Sequence, residues 1–544
     1  MGQRDLFNQL SCYPHGAGHD DEGVCLELRL GPRRILLDCG LSGAAIATLA
    51  EIPFDAVFCS HAHADHARGL LALHCARPQL PIYASAETAH LLPLNWLADS
   101  VPPFCQPLEW QSPLRVTPEL TVTLFPAGHL PGAAAIALTY YTPRRTYKVL
   151  YTGDFFLSNS RLVEGLSLES LRQFAPDISI VEGTYGTARH PHRRRQENQL
   201  MAQISHWLDR QLSVLLPLPV MGLAQEILVL LRSHHQFTGR DLDIWVEADL
   251  AVACDAYLDL LPTLPAAVQN FARHQPLFWD ERVRPRLHRL LAIPPGSSGS
   301  GSGSSPLDDP QQSPCVLLAD CMGDWQRYCR AQPGRWVALL PERSNRPQVD
   351  PDVAATTAID TFLLAQHSDG LGTTQLIHNL RPQHVLFIHG LPEYLADLTA
   401  LEELQNRYQL HLPSAGQLVE LPMGETFLQP AAPPERYHGG EVHDDGTQIL
   451  LMLADSLRSD PRWHNFADTG VVEARWQGED LVLRGMSARE VFNLARAERV
   501  PADADCCGNC RFYQQQSCRN SGSPLHRLQV TPDGYCPLFA RQEP

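Results

Sequence analysis

The chain has 544 residues, 44% of them hydrophobic, a composition that excludes a disordered chain and predicts a globular protein of about two to four domains. Its net charge of −17 excludes a uniformly basic nucleic-acid-binding surface, although a local basic groove is compatible with it. The most apolar stretch, residues 212–231, contains two prolines, a glycine, a glutamine and a glutamate, so no membrane span is expected.

Fifteen cysteines, an odd number, are scattered through apolar segments of the sequence. This distribution favours reduced thiols over a disulfide framework. The N-terminus lacks the charged segment followed by an apolar one that a secretory signal would have. The sequence therefore predicts a cytoplasmic protein.

The first third of the chain alternates short apolar strands with helical stretches, which is typical of a mixed α/β domain. Residues 24–30 alternate, turn at Gly31-Pro32 and continue as the apolar strand 35–38, so a β-hairpin is expected. The hydrophobic pattern predicts further strands at residues 54–59, 120–125, 134–140 and 149–153, and a helix at 70–75.

A cluster of metal-binding side chains follows the strand at residues 54–59. Within six positions the chain carries His61, His63, Asp65 and His66. In an extended backbone His61 and His63 point to the same side, because side chains alternate with a period of two. Imidazole nitrogen suits zinc, and a nearby carboxylate can serve a second ion. A polar loop that happens to be rich in histidine is the alternative, but three further segments fit the same site.

Three more polar residues stand at or just after the ends of predicted strands. Asp38 ends the second strand of the hairpin, His129 lies in a Gly-His-Leu-Pro-Gly loop, and Asp154 closes the segment that begins at Val149. Such loops carry chemistry because a rigid scaffold positions them. We therefore expect all three residues to join the histidine cluster.

Together these elements resemble the metallo-β-lactamase superfamily. Its signature is H-x-H-x-D-H with an upstream Asp, a later Gly-His and a later Gly-Asp, and all four elements are intact here in that order. The resemblance implies an α/β fold, an αββα sandwich with a two-metal site at the edges of its sheets.

The strand predicted at residues 178–181 leads into Glu182-Gly183-Thr184-Tyr185-Gly186. Alone, this would be an ordinary strand end and turn. Beside the metal motifs it resembles the first signature of the β-CASP branch, an acidic residue followed by Thr-Tyr-Gly. β-CASP proteins are metallo-β-lactamase-fold nucleases with a second domain inserted into the chain, so an inserted α/β domain is expected after this segment.

A basic cluster precedes the next predicted helix, which runs to Leu208. It contains Arg189, Arg193, Arg194 and Arg195. Cations at a helix N-terminus oppose the helix dipole, so their presence favours an anionic ligand. We predict that these arginines bind a nucleic-acid backbone; a solvated surface patch is the alternative.

Two segments of the inserted domain depart from the β-CASP pattern. Leu223 stands where the family has an arginine, so that cation is missing here. Cys321 follows a predicted strand in place of a glycine, where a side chain would crowd a close backbone approach. Residues 227–294 are predicted to be mainly helical, with a strand at 244–246.

Two later histidines resemble the second and third β-CASP signatures. An apolar strand within residues 361–370 is predicted to lead to His367, and a buried strand at 385–388, after a helix at 373–380, to His389. A lone histidine after a strand is usually structural, but two of them separated by a strand–helix–strand unit fit the family.

The resemblance covers roughly residues 10–425 and implies a domain order. The predicted domains are a metallo-β-lactamase domain at 1–186 and 351–430, an inserted β-CASP domain at 187–350 with a flexible Gly/Ser loop at 296–305, and a C-terminal extension at 431–544.

By this resemblance the chain is a zinc-dependent phosphodiesterase that cleaves RNA, by endo- or exonuclease action, through attack of a metal-activated hydroxide. The implied zinc ligands are His61, His63 and His129 for one ion, Asp65, His66 and His389 for the other, and Asp154 as the bridge. The implied catalytic residues are Asp65 at the metal, His367 as general acid, Glu182 orienting it, and Asp38 supporting a ligand histidine.

Other functions share this signature. A DNA nuclease of the same fold would use the same residues, whereas a thioesterase or lactonase would use the same ions without needing the inserted domain. A catalytically silent scaffold is disfavoured because no ligand position is lost. We expect RNA as the partner, with single-stranded DNA as the alternative, no membrane, and a homodimer as a candidate assembly.

The C-terminal extension is predicted to contain a hairpin at 471–483, a helix from Ser487 to Ala497 and a cysteine-rich, metal-binding segment at 506–536. The candidate ligands are Cys507, Cys510, Cys518 and Cys536, with Cys506 or His526 as substitutes. One C-x2-C pair, two solitary cysteines and a proline after the last resemble iron–sulfur sequences more than a zinc ribbon, which usually has two pairs. We expect an iron–sulfur cluster ahead of a structural zinc; ordinary buried thiols are the third interpretation.

Overall fold

The fold is described from a computed structural model. It describes residues 10–20, 22–280, 282–290, 313–342 and 349–423, and nearer the C-terminus 440–444, 449–453, 472–477, 480–485, 507–514, 517–523, 526 and 538–541. The chain divides into two compact units, Met1–Pro433 and Pro434–Pro544. This division falls three residues after the boundary predicted at residue 430.

The described part of the first unit contains three β-sheets. Its described strands are β1 (Leu10–Ala17), β2 (Val24–Leu30), β3 (Arg33–Leu37), β4 (Ala56–Phe58), β5 (Ile82–Ser85), β6 (Cys105–Leu108), β7 (Leu114–Thr117), β8 (Leu120–Pro126), β9 (Ala134–Tyr141), β10 (Thr146–Tyr151), β11 (Ile178–Glu182), β12 (Ser213–Leu218), β13 (Asp243–Glu247), β14 (Arg286–Leu290), β15 (Val316–Asp320), β16 (Trp336–Pro341), β17 (Ala358–Phe362), β18 (His384–Ile388), β19 (Gln409–His411) and β20 (Val419–Glu420). The sheet orders are β20-β1-β2-β3-β4-β5-β6, β19-β18-β11-β10-β9-β8-β7 and β14-β13-β15-β12-β16-β17.

Helices connect many of these strands. The described α-helices are α1 (Ala44–Glu51), α2 (Ala64–Ala67), α3 (Leu70–Ala76), α4 (Ala86–Leu91), α5 (Leu168–Arg172), α6 (Arg193–Asp209), α7 (Leu223–Ser233), α8 (Ala248–Asp259), α9 (Ala266–His274), α10 (Gln326–Ala331), α11 (Pro351–Thr356), α12 (Gly370–Leu380), α13 (Pro392–Thr399) and α14 (Glu402–Gln405). No helix in the described part of the chain combines the length and apolarity needed to cross a membrane.

The two seven-stranded sheets face each other across one apolar core. Alternate residues of both sheets, such as Leu26 and Leu28 on β2 and Ile136 on β9, are buried together there. The other residues of these strands join a second core, to which α1, α3, α12 and α13 contribute. Two sheets between helical layers form the αββα sandwich that the sequence predicted.

The six-stranded sheet belongs to the inserted part of the chain, and its strand pairs are parallel. Its last strand, Ala358–Phe362, lies C-terminal to the boundary predicted at residue 350. The prediction of helix for residues 227–294 is wrong at Arg286–Leu290, which pairs with Asp243–Glu247 as an edge strand. Arg286 Nε also donates to Asp243 Oδ1 (2.7 Å), a cross-strand contact that the local hydrophobic pattern does not encode.

The predicted strand within residues 361–370 is displaced toward the N-terminus. It ends at Phe362, and the chain continues as a loop to α12. His367 therefore lies on this loop, several residues beyond the sheet, and other segments must hold it in place.

The described strands of the second unit form short antiparallel pairs. They are β21 (Gly440–Asp444) with β22 (Ile449–Leu453), β23 (Val472–Gln477) with β24 (Asp480–Gly485), and β25 (Tyr513–Gln514) with β26 (Ser517–Cys518). The second pair confirms the predicted hairpin. The predicted helix from Ser487 and the Gly/Ser loop at 296–305 lie outside the described residues.

Candidate metal centre and active site

The candidate site is built from loops at one edge of the sandwich. Asp38 follows β3, the histidine cluster follows β4, and His129 lies between β8 and β9. Asp154 follows β10, and β11 ends at Glu182. His389 follows β18. Because these strand ends meet, residues spread from position 38 to position 389 converge on one site.

The ligand atoms form two groups. The first is His61, His63, His129 and Asp154, and the second is Asp65, His66 and His389; within each group the ligand atoms lie within 4.8 Å of one another. This division is the one that the family resemblance implies. A third grouping, Asp154 with His367 and His389, overlaps both.

Asp154 lies between the two groups, and each of its oxygens faces one of them. Oδ2 is 3.4 Å from His61 Nε2. Oδ1 is 3.3 Å from His66 Nε2 and 3.4 Å from His389 Nδ1. A carboxylate in this position can bridge two cations.

The spacing of the donor atoms fits divalent metal ions. Around a tetrahedral ion with bonds of about 2.1 Å, ligand atoms are about 3.4 Å apart. Here His63 Nδ1 lies 3.2 Å from His61 Nε2 and 3.0 Å from His129 Nε2. His66 Nε2 and Asp154 Oδ1 are buried without a hydrogen-bond partner. Crowded lone pairs and unsatisfied buried atoms are unfavourable without a cation, so the donor set fits a metal site.

Three ligand histidines are oriented by acceptors on the side away from the site. His66 Nδ1 donates to Asp38 Oδ2 (2.7 Å), His129 Nδ1 to the Gln366 carbonyl (2.9 Å) and His63 Nε2 to the Met221 carbonyl (3.3 Å). Because a carboxylate or carbonyl oxygen only accepts, each of these nitrogens carries the proton. The other nitrogen of each ring faces the site, where its lone pair can bind a metal when the ring is neutral.

Asp38 is the fully buried centre of the network behind His66. Its carboxylate accepts hydrogen bonds from Ser60 N (2.6 Å), Ser60 Oγ (2.7 Å) and Tyr151 OH (2.5 Å). Burial and the Asp38 charge raise the pKa of Tyr151 well above its usual value, so the phenol remains a donor. The sequence indicated the supporting role of Asp38 but missed Ser60 and Tyr151.

Opposing charges shift the pKa values in the site. Burial would raise the pKa of Asp154, but the surrounding histidines, His389 and His66 foremost, lower it well below its usual range. Burial would also lower the pKa of His66 and His389, but the Asp154 charge raises that of His66 and brings that of His389 to about 9. Burial keeps the pKa of His61 well below its usual value, so that ring stays neutral, as metal ligation requires.

His367 forms a pair with Glu182 beside the ligand groups. His367 Nδ1 lies 3.1 Å from Glu182 Oε1, and the histidine side chain is 17% exposed. Thr184 fixes the other carboxylate oxygen with its N–H (3.0 Å) and its hydroxyl (2.6 Å). The Thr184 hydroxyl also lies 2.9 Å from His389 Nδ1. Thr184 was missed as a site residue, although it stands in the Thr-Tyr-Gly signature.

Helix α6 of the inserted segment holds the loop that carries His367. Gln196 Oε1 accepts a hydrogen bond from the Ala365 N–H (2.8 Å), and Arg193 donates to the Ala365 carbonyl. On the other side, the Ser368 N–H donates to the Phe155 carbonyl (2.9 Å). The backbone on both sides of His367 is therefore fixed.

Arg193 does not fit the nucleic-acid-binding role predicted for it. Its side chain is buried and forms ion pairs with Glu226 (3.4 Å) and Glu197 (3.7 Å). An arginine in this environment stabilises the packing of α6, whereas a cation that binds phosphate must face solvent. Arg189, Arg194 and Arg195 are exposed.

The turn after β12 brings the inserted segment against the metal ligands. Gly222 has φ +90, and a Cβ there would lie 3.0 Å from the Gln366 side-chain amide. The positive φ favours glycine at this position, whereas the end of the Gln366 side chain could shift. Leu223, the departure from the family arginine, is buried in the core. Cys321 is partly exposed after β15, and its N–H donates to the Leu218 carbonyl (2.9 Å).

The predicted second metal centre lies in the second unit. Cys507, Cys510 and Cys518 are buried and line one cavity. Cys506 and Cys536 lie outside the described residues. His526 is described, and it pairs with Cys518 through a backbone bridge.

Known proteins resemble this chain over different spans. A family model described as Beta-lactamase superfamily domain matches residues 33–207, a range that contains every candidate ligand of the first unit except His389. Uncharacterized protein sll0514 from Synechocystis sp. is 47% identical over 99% of this chain and 98% of its own length.

Two further relatives carry functional names. Probable RNase MJ4 from Methanocaldococcus jannaschii is 30% identical over 40% of this chain and 56% of its own length. Integrator complex subunit 11 from Danio rerio is 25% identical over 74% of this chain and 73% of its own length. The second match extends well beyond the range of the family model.

Removing Arg193 should destabilise the fold, whereas removing its neighbour should not. We expect Arg193→Ala to lower the free energy of unfolding by about 3–5 kcal/mol, because Glu226 would remain buried without its cation. The exposed Arg194→Ala is the matched control, with an expected change within about 0.5 kcal/mol. Urea denaturation of the full chain measures both, and equal effects would contradict the role assigned to Arg193.

Metal content should depend on Asp154 more than on any other single ligand. We expect the dialysed protein to retain about two divalent ions in the first unit. Asp154→Ala should lose both, because its carboxylate faces both ligand groups, whereas His63→Ala should lose the ion of the first group. Elemental analysis of each variant against exposed Asp99→Ala as control decides this. Unchanged metal content in Asp154→Ala would refute the bridging geometry.

Proposed function

Since the chain belongs to the β-CASP branch of the metallo-β-lactamase superfamily, a group of metal-dependent hydrolases, we propose that it is a zinc-dependent ribonuclease that hydrolyses phosphodiester bonds. The observation that carries this proposal is the His367–Glu182 pair held beside two groups of metal ligands. A phosphodiesterase needs both parts, because the attacking oxygen must be activated and the leaving oxygen must receive a proton.

Both ligand groups combine imidazole nitrogen with carboxylate oxygen, a donor set that suits zinc. We assign His61, His63 and His129 to one ion and Asp65, His66 and His389 to the other, with Asp154 between them. When bound, the ions would lower the pKa of a water molecule and neutralise charge on the phosphoryl oxygens. The chain's own contribution is to hold the ligand rings in the right tautomers through Asp38 and the Met221 and Gln366 carbonyls.

His367 is assigned as the general acid. Because Glu182 accepts from Nδ1, the ring keeps Nε2 for the leaving oxygen of the substrate. The Glu182 carboxylate cannot rotate away, since Thr184 and the Phe155 N–H hold it. Glu182 thus positions His367 and stabilises its positive charge before the proton is transferred.

A single-stranded polynucleotide suits the surface next to His367. The Tyr185 ring lies 6.0 Å from the His367 ring and 4.3 Å from the His190 ring. Aromatic rings beside a phosphodiester site suit the stacking of unpaired bases. Exposed Arg189, Arg194 and Arg195 follow in sequence and provide cations for a phosphate backbone.

The names of two relatives support RNA as the substrate. One relative is named Probable RNase MJ4, and another, from Mycosarcoma maydis, is named Endoribonuclease YSH1. We also propose a cytoplasmic location, because no disulfide joins the cysteines that the structure describes.

One assay tests the proposed substrate and metal together. Purified protein is incubated with end-labelled single-stranded RNA and with DNA of matched sequence, with and without chelator. We expect RNA to be cleaved. Cleavage should stop when chelator is added and return when zinc is restored. The Asp65→Ala and His66→Ala variants should be inactive but folded. Cleavage of DNA alone would make the protein a DNA nuclease, and hydrolysis of a thioester or lactone without cleavage of either polymer would refute the nuclease proposal.

The role of His367 is separable from that of the metal ligands. His367→Ala should slow RNA hydrolysis by about 10²–10⁴, as expected for a lost proton donor. The zinc content of this variant should not change. The rate with a substrate that has an activated leaving group should fall less, because that leaving group needs no protonation. His74→Ala, on α3, is the control. A fall in the zinc content of His367→Ala would instead identify His367 as a metal ligand. This outcome is a direct test, because the ligand atoms of His367, Asp154 and His389 lie close enough together to hold an ion.

A further inference from the structure

Three cysteines are brought together in the C-terminal unit by very short elements. Cys507 begins a single 3₁₀ turn, and the Cys510 N–H donates to the Cys507 carbonyl (3.0 Å). Cys518 ends the two-residue strand β26, where it pairs with Tyr513. The residues Cys507, Cys510 and Cys518 are 6%, 8% and 7% exposed, so all three are buried.

These cysteines surround a cavity. The same cavity is bordered by Phe512, Tyr513 and Phe539, whose rings form apolar walls. A buried cysteine that serves only for packing behaves as a small hydrophobic residue in a close-packed core. Three sulfur atoms around a shared space, shielded by aromatic rings, are instead the arrangement of a thiolate-bound prosthetic group.

The spacing of the described thiols favours a cluster over a single ion. Zinc bonds of about 2.3 Å would bring thiolate sulfur atoms to about 3.8 Å from one another. In the first unit the candidate ligands meet within 4.8 Å, whereas no three potential ligand atoms in the described part of the second unit do so. An iron–sulfur cluster separates its cysteine ligands because its own iron and sulfide atoms lie between them.

A bound group would stabilise the short elements that carry these thiols. Strands β25 and β26 have two residues each. A two-stranded pair of that length is not stable in water on its own. Binding of a metal group contributes folding energy directly, and small segments without a sizeable core commonly rely on it.

We propose that the C-terminal unit binds an iron–sulfur cluster through the thiolates of Cys507, Cys510 and Cys518. This proposal does not rest on the proposed nuclease activity. His526, paired with Cys518 through a backbone bridge, is the candidate for a fourth ligand among the described residues. Comparison of the metal content of His526→Ala with that of the unsubstituted chain tests this ligand.

The test uses the full chain, purified without oxygen. Iron, acid-labile sulfide and zinc are measured per chain, together with the visible absorption spectrum. We expect a coloured protein with iron and sulfide in equal amounts. Cys507→Ser, Cys510→Ser and Cys518→Ser should each lose most of the iron and sulfide, while exposed Cys75→Ser in the first unit should retain them.

Two controls keep the result interpretable. His63→Ala should keep its colour and sulfide, which shows that the iron is not in the catalytic site. The metal content of the unsubstituted protein decides the question even if the cysteine variants fail to fold. A colourless protein with one thiolate-bound zinc, lost in Cys510→Ser, would overturn the cluster, and no metal beyond the catalytic ions would overturn the site altogether.

Discussion

One buried carboxylate, Asp154, sets the conditions that the rest of the site must meet. A charge removed from water is strongly unfavourable unless it is paired, and here it is surrounded by imidazole rings. Those rings bind a metal only if each turns a lone pair inward, so each needs an acceptor for its N–H on the opposite side. Asp38 and the carbonyls of Met221 and Gln366 supply these acceptors for three of the rings.

The same requirement explains why the inserted segment packs so closely against the sandwich. Its β12–α7 turn carries the Met221 carbonyl to His63, and α6 fixes the backbone at Ala365. The insertion therefore orients a candidate metal ligand and positions the loop of the proposed general acid. Arg193 also helps to hold the insertion in place, since its charge is neutralised by buried glutamates inside the fold.

Most candidate ligands could be found from the sequence because they obey local rules. His61 and His63 follow a buried strand at alternate positions, and Asp154 follows another such strand. The apolar strands indicated a mixed α/β domain, and the family resemblance implied the αββα class. Predictions failed where stability came from distant partners: Arg286–Leu290 forms a strand because Asp243–Glu247 lies beside it.

The sequence by itself identified the candidate ligands, predicted an order of domains and marked the cysteine-rich segment, because residue type and strand period are local properties. Only the tertiary structure decided which nitrogen of each histidine faces the site, since the acceptors lie far along the chain. It also decided that Arg193 is buried while Arg194 is exposed. These two adjacent residues of the basic cluster differ in burial because a helix turns about 100° per residue. Neighbouring side chains are therefore directed to different surroundings.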